Sequence, residues 1–147
     1  MPITLKPPPY RALSAAEEEA FQFVVQIYRD FQNKRPENIR AVQEPDTTVW
    51  DAFTPYLITE KERVAFHTED VGRSKTRGEQ SLVFTPLHVR VFGKETAMVV
   101  CMCAFSFAPP RPLSGELRIT SVMERRKGNW KMLHHHEAVP PTGWPDE

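Results

Sequence analysis

The pattern of hydrophobic positions predicts helices in the first half of the chain. Ser14 with Glu17 is a capping box, which predicts the start of a long helix that Pro36 ends. Pro36 also suits the first position of a short second helix that runs to Val42. The apolar face of the long helix recurs at helical spacing and consists of Phe21, Val24, Val25, Tyr28 and Phe31.

A second capping box marks a helix in the middle of the chain. Thr59 with Glu62 predicts a helix through about Val71, and Gly72 is expected to end it. A turn and a short strand, residues 45–50, precede this helix.

From residue 80 onwards the hydrophobic period changes to two, which predicts strands. The predicted strands are 80–92, 97–107, 116–126 and 130–139. The segment 97–107 is apolar on both faces, so we expect helices to cover one face and a partner subunit or a closing sheet to cover the other. Helices followed by long antiparallel strands predict an α+β domain, with the N-terminal helices packed on a mostly antiparallel sheet.

Composition narrows the class of protein. The 147 residues fit one domain, and 19 basic residues balance 19 acidic residues. Zero net charge argues against nucleic acid and anionic membranes as partners. There is no apolar run long enough for a membrane span or a signal peptide, and the two cysteines suit buried free thiols. We therefore expect a cytoplasmic protein.

The 14 prolines are clustered along the chain. We interpret residues 1–13 as an extended Pro-rich arm, 109–112 as a connection between strands, and 140–147 as a Pro-rich tail. The single domain is then expected to span residues 14–139.

The last two predicted strands carry a recognisable series of motifs. They are Arg118-Ile119-Thr120, Lys127-Gly128-Asn129, Trp130 and His134-His135-His136. This series resembles the closing hairpin of SnoaL-like proteins, in the nuclear-transport-factor-2-like superfamily, which often end with an Arg-x-Thr strand, a charged turn with Gly, a Trp and a His-x-His. The association domain of calcium/calmodulin-dependent kinase ends in a similar way. Ala138 stands where such chains usually carry Ser.

The resemblance implies a cystatin-like cone-shaped barrel with a pocket between the curved sheet and the helices. Relatives include ketosteroid isomerases, polyketide cyclases and dehydratases, and also non-catalytic association domains. Dimers are common among them. Because a fold does not fix a function, the candidate residues have to carry the argument.

His134, His136 and Asp46 are the candidate catalytic residues. Strand alternation is expected to place the two histidines on the face of Trp130 and Met132, with His135 opposite. The histidines are open to three interpretations: a metal half-site that lacks a third ligand, acid–base groups or a polar pocket lining, or structural side chains that hydrogen bond inside the sheet or across a dimer contact. Asp46 is either a turn residue or a base, and the other acidic candidates are Asp51, Glu69 and Asp70.

Five residues are candidates for contact with a ligand. An arginine on a half-buried strand needs a carboxylate, which either a ligand or the protein supplies. The aromatic candidates line an apolar pocket or belong to the core. The candidates are Arg118, Thr120, Tyr28, Trp50 and Trp130.

The sequence thus predicts a protein that binds a small apolar or weakly acidic molecule, as an isomerase, cyclase or dehydratase. The alternative is a non-catalytic association domain. We expect a homodimer with no cofactor, no metal, no nucleic acid and no membrane as partner.

Overall fold

The structure is a computed structural model that describes residues 3–140. This part of the chain contains three helices and six strands. Residues 141–147 of the predicted tail lie outside this range. No helix within it is long and apolar enough to cross a membrane. The helices are α1 (Ala15–Gln32), α2 (Pro36–Ala41) and α3 (Glu60–Ser74). The strands are β1 (Ile3–Leu5), β2 (Gln43–Trp50), β3 (Gln80–Phe92), β4 (Thr96–Phe107), β5 (Leu113–Arg126) and β6 (Asn129–Ala138).

The six strands form one mixed sheet in the order β1-β3-β4-β5-β6-β2. The two edge pairs, β1 with β3 and β2 with β6, are parallel, and the three central pairs are antiparallel. The predicted α+β fold with a mostly antiparallel sheet is confirmed. Within residues 3–140 the sheet remains open, because β1 and β2 lie at opposite edges and do not pair.

The hydrophobic core lies between α1 and one face of the sheet, which we call the inner face. Ser14 caps α1 in the predicted capping box, with both of its hydrogen bonds to Glu17 present. The buried apolar side chains of α1 are Ala20, Phe21, Val24 and Val25. The last three belong to the predicted apolar face, whose other members, Tyr28 and Phe31, are half-buried. The main inner-face residues are Leu82, Phe84, Val89, Ala97, Val99, Cys101, Cys103, Phe105, Leu117, Ile119 and Met123.

Several element boundaries differ from expectation. The turn predicted at Pro45 and Asp46 lies within β2, and β5 begins at Leu113 instead of residue 116. Gly72 does not end α3, which continues to Ser74. Lys75, which follows α3, has a right-handed helical backbone conformation, so this helix end does not require the left-handed conformation that favours glycine. At the start of the chain, part of the predicted arm forms β1: Ile3–Leu5 pairs with β3 and extends the sheet.

A β-bulge in β6 determines which side chains face the core. Met123 of β5 pairs with Met132, but the neighbouring Val122 pairs with His134, so Leu133 is an extra residue in β6. An extra residue reverses the alternation of all side chains that follow it. The expectation that His134 and His136 share a face with Trp130 and Met132 was therefore wrong.

The backbone of Met132 is held in place at the bulge by β2 and by Val42, the residue before β2. The Met132 N–H donates to the carbonyl of Val42 at 2.8 Å. The Met132 carbonyl accepts a hydrogen bond from the hydroxyl of Thr47 in β2, which is fully buried. Because both backbone polar groups have partners, the bulge has a fixed position, and His135 and Glu137 face the core after it.

Candidate functional site

Four polar side chains form a buried relay between α1 and the inner face of the sheet. Tyr28 comes from α1, Ser121 from β5, and His135 and Glu137 from β6. The Tyr28 hydroxyl lies 2.8 Å from His135 Nε2 and also hydrogen bonds to Glu137 Oε2. Ser121 Oγ lies 2.7 Å from His135 Nδ1. The relay crosses an otherwise apolar core.

The chemistry of the groups determines where the protons of the relay lie. An ionised Glu137 only accepts hydrogen bonds, so the Tyr28 hydroxyl donates to it. The Tyr28 oxygen then accepts a hydrogen bond from the N–H of His135 Nε2. The Ser121 hydroxyl can donate to Nδ1 or accept from it, so the relay is satisfied with His135 in either protonation state.

The charges of the relay follow from burial and from these hydrogen bonds. Burial raises the pKa of Glu137, but the hydrogen bond and charge of His135, with the hydrogen bond of Tyr28, outweigh it and leave this pKa below its usual value. Burial, followed by the negative charge of Glu137, raises the pKa of Tyr28 well above its usual value. At neutral pH, Glu137 is therefore ionised and Tyr28 keeps its proton.

Asp51 is a second carboxyl group beside the relay. It follows β2 directly and accepts hydrogen bonds from the Phe53 N–H at 2.9 Å and the Thr54 hydroxyl at 3.0 Å. The next residue, Ala52, donates its N–H to Glu137 Oε1 at 3.4 Å. Burial, followed by the charge of Glu137, raises the pKa of Asp51 to about 6. Two neighbouring carboxyl groups thus have pKa values shifted in opposite directions.

Cys101 and Cys103 line the inner face as buried free thiols, as the sequence predicts. Burial raises the pKa of Cys103 to about 12 and that of Cys101 further. Both therefore stay protonated at neutral pH and are poor nucleophiles. Among residues 3–140, no three His, Cys, Asp or Glu side chains are grouped as a metal site requires.

Five of the eight predicted site residues lie together on the opposite, outer face of the sheet. Thr48 Oγ1 lies 2.7 Å from His134 Nδ1, and the rings of His134 and His136 are 6.2 Å apart. Burial, and then the charges of the two neighbouring histidines, lowers the pKa of His134. The strand register brings together Trp50, Arg118, Thr120, His134 and His136.

The other three predicted site residues are scattered. Tyr28 belongs to the relay. Asp46 lies at the surface, where it accepts two hydrogen bonds from the Arg126 guanidinium at 3.0 and 2.9 Å. These bonds lower the pKa of Asp46, which is unfavourable for a base. Trp130 is buried on the inner face, and the Arg125 guanidinium lies 4.1 Å from its ring centroid.

Ser121, His135, Glu137 and Asp51 are the site residues that the predictions did not select. Asp51 appeared only among the acidic candidates. The sequence carries one signal for the others, which is the alternation of His135 and Glu137 along an otherwise half-apolar strand. That signal shows that His135 and Glu137 lie on the same face of the strand. It does not show whether that face is the inner or the outer one, because the sequence pattern does not reveal the bulge.

A comparison with models of protein families finds a match over most of the chain. Residues 21–142 match the model of a SnoaL-like domain, which confirms the resemblance of the closing hairpin. No curated protein matches the chain.

Similar folds occur in solved structures of low sequence identity. The CaMKII hub from S. rosetta is 17% identical, with a TM-score of 0.71 over 88% of this chain and 100% of that chain. A protein of the NTF2-like family from Streptomyces avermitilis, provisionally described as a dehydratase, is 16% identical, with a TM-score of 0.70 over 86% and 96%. A protein with a cystatin-like fold from Caulobacter vibrioides is 20% identical, with a TM-score of 0.64 over 86% and 91%. These similarities show a shared fold.

The raised pKa of Asp51 predicts a stability effect of defined sign. Asp51 titrates near 3.8 when unfolded and near 6 when folded. The stability contributed by the protonated carboxyl is therefore complete below 3.8 and lost as pH rises through about 6. In the Asp51→Asn protein the side chain at this position is uncharged over this pH range. Its free energy of unfolding, measured with urea, should rise relative to wild type between about pH 4 and pH 8.

Asp46→Asn is the matched control, because the pKa of Asp46 is shifted in the opposite direction. Asp46 contributes stability above its usual pKa of 3.8 and loses it as pH falls. Asp46→Asn should therefore show no relative gain between about pH 4 and pH 8. Parallel profiles of wild type and Asp51→Asn would contradict the buried position of Asp51.

Proposed function

The chain belongs to the SnoaL-like domain family, and on that premise we propose that it binds a small molecule and moves a proton on it at Asp51. Isomerisation, cyclisation and dehydration are the reactions that such a step serves. The observation that carries this proposal is the pair of neighbouring carboxyl groups with oppositely shifted pKa values. Environments that separate the pKa values of two carboxyl groups are typical of acid–base sites.

Asp51 is the proposed base. A pKa of about 6 leaves it mostly ionised at neutral pH and makes it a stronger base than an ordinary aspartate. It can remove a proton from a carbon next to a carbonyl and return that proton to another position. Burial and, after it, the charge of the nearby Glu137 raise the pKa of Asp51, and Glu137, whose own pKa is lowered, remains ionised during this exchange.

Tyr28 is the proposed donor to the oxygen on which negative charge develops. Its raised pKa keeps the hydroxyl proton in place at neutral pH. A ligand oxygen that enters the relay would replace Glu137 as the acceptor of the hydrogen bond that the Tyr28 hydroxyl donates. A fixed donor directed at a developing oxyanion is an effective form of electrostatic catalysis.

Aromatic side chains near Asp51 favour a ligand with an apolar body. Phe53 lies two residues after Asp51 and is 59% exposed, although it packs edge-on against Phe105 at 6.0 Å. Phe84 packs edge-on against Tyr28 at 5.0 Å. An exposed aromatic ring beside a base offers an apolar surface to a ligand.

Buried reduced thiols suit a reducing compartment, so the cytoplasm is the location that we propose.

Deuterium exchange tests the proposed base without knowledge of the substrate. Apolar ketones incubated with the protein in D2O should exchange the hydrogens next to the carbonyl, as followed by proton NMR. Asp51→Asn should reduce the exchange rate by about 100-fold, because general-base catalysis contributes on that scale. Asp46→Asn should leave the rate unchanged. Equal rates for wild type and Asp51→Asn would refute the role of Asp51.

A second candidate function is association through the outer face of the sheet. The centre of this face carries an apolar stripe on β4, Met98, Val100 and Met102, none of which is fully buried in the single chain. Val122 of β5 lies beside Met98 and extends the stripe. An apolar stripe flanked by polar residues is typical of an interface, so we propose a homodimer.

Val100→Glu tests this interface. A charge at the centre of the stripe would have to be buried unpaired in a dimer, so the variant should be a monomer at a concentration where the wild type is a dimer. Sedimentation equilibrium measures the difference. Val64→Glu is the control, since Val64 lies on α3 and is 77% exposed. A monomeric wild type at about 100 µM, or a dimeric Val100→Glu protein, would contradict the interface.

A further inference from the structure

A cleft of about 340 Å³ lies at the C-terminal end of α1, beyond Tyr28. It opens between the C-terminal ends of α1 and α3, the short helix α2, and the sheet edge where β3 begins and β4 ends. None of Asp51, Tyr28 and Glu137 lines it. Its volume falls within the range of small-molecule sites. Its apolar walls are formed mainly by Phe31, Ile39, Val71 and Phe107.

Arg77 is held in this cleft with its hydrogen-bond donors unused. Its guanidinium lies 5.2 Å from the ring centroid of Phe31 and 5.6 Å from that of Phe107. Asp70 lies at ion-pair distance, 3.5 Å, but within residues 3–140 the guanidinium makes no hydrogen bond. The Arg77 side chain is only 22% exposed. Two aromatic contacts thus fix a planar donor group whose geometry matches a carboxylate.

His67 provides a second unsatisfied group in the same wall. Its Nε2 atom is buried and has no hydrogen-bond partner within the described part of the chain. His67 lies three residues before Asp70 on α3, so both side chains are on the side of the helix that lines the cleft. A buried polar atom without a partner costs free energy that a ligand oxygen would recover.

The charges around the cleft favour an anion. Its two acidic side chains are already neutralised: Asp30 pairs with Arg35 at 3.3 Å, and Asp70 pairs with Arg73 and Arg77 at 3.5 Å each. Lys34 and Lys75 also line the cleft, and neither forms an ion pair among residues 3–140. The net field at the entrance is therefore positive.

We propose that this cleft is a second ligand site, which binds a small organic carboxylate with an apolar body. The carboxylate accepts hydrogen bonds from the Arg77 fork and from His67 Nε2, and the body packs between Phe31, Phe107 and the aliphatic walls. The apolar walls favour an organic acid over inorganic phosphate. The site is independent of the proton transfer proposed at Asp51, so either proposal can fail without the other.

Phenylacetate is a suitable probe, because it combines a carboxylate with one ring. In a titration followed by nitrogen–proton NMR, the Arg77 Nε–H signal should shift and saturate below about 10 mM phenylacetate. Phenylacetamide has the same shape without the charge, so it should bind at least about tenfold more weakly, as should inorganic phosphate.

Two variants locate the binding. In the variants, binding is followed by the backbone amide signals of Phe31 and Phe107, which also line the cleft. Arg77→Gln should weaken phenylacetate binding at least about tenfold, since hydrogen bonds to a charged partner are lost. Arg73→Gln is the matched control: Arg73 also pairs with Asp70 but does not line the cleft, so its affinity should stay within about twofold. Arg77→Lys keeps the charge and loses the fork, and it replaces Arg77→Gln if that protein does not fold.

Several results would overturn the proposal. One is an Arg77 signal that does not shift. Others are equal affinities for phenylacetate and phenylacetamide, or for phenylacetate and phosphate. An Arg77 variant that binds as tightly as the wild type would also overturn it, because the anion would then lie elsewhere on the protein.

Discussion

The β-bulge at Leu133 is the constraint on which the arrangement of this site depends. Uninterrupted alternation from Trp130 would direct His134 and His136 into the core. The bulge reverses that order and directs His135 and Glu137 inward. Its position is fixed by β2 and the residue before it, because the Val42 carbonyl and the buried Thr47 hydroxyl form hydrogen bonds with both backbone groups of Met132. One extra residue in β6 thereby determines which polar side chains lie in the core.

Burying Glu137 has a cost that the surrounding groups offset. An ionised carboxylate in an apolar core is strongly destabilising unless its oxygens are paired. Here the Tyr28 hydroxyl and the Ala52 N–H donate to it, and His135 lies 3.6 Å away. These partners come from α1, the loop after β2, and β6. The same contacts that stabilise the buried charge therefore hold the helix, the loop and the sheet in register, and they place Asp51 next to a permanent negative charge.

The sequence predicts the elements of this fold well, because local signals specify them. Both capping boxes begin helices, and the change of hydrophobic period at residue 80 marks the strands. The candidate site was harder to predict. The face that a strand residue occupies depends on counting from a known neighbour, and one extra residue at Leu133 invalidates the count. The extra residue moves His134 and His136 to the outer face, where they lie with Trp50, Arg118, Thr120 and the apolar stripe of β4.

The two aspartates of the β2 segment show why residue type alone did not identify the base. Asp46 lies within β2, and Asp51 follows β2 directly. Asp46 meets Arg126 at the surface, which lowers its pKa. Asp51 meets a partly buried environment and the charge of Glu137, which raise its pKa. The difference is set by residues more than 70 positions away in the chain, so it becomes visible only once the sheet is assembled.

The central claim is that Glu137 and Asp51 form a coupled pair whose pKa values are shifted in opposite directions. Carbon-detected NMR of the two side-chain carboxyl groups, followed through a pH titration, measures this directly. The account predicts a pKa of about 6 for Asp51 and a value below the usual 4.5 for Glu137. In the Glu137→Gln protein, the pKa of Asp51 should fall towards 3.8. Unshifted values for both carboxyl groups, or an Asp51 unaffected by Glu137→Gln, would contradict it.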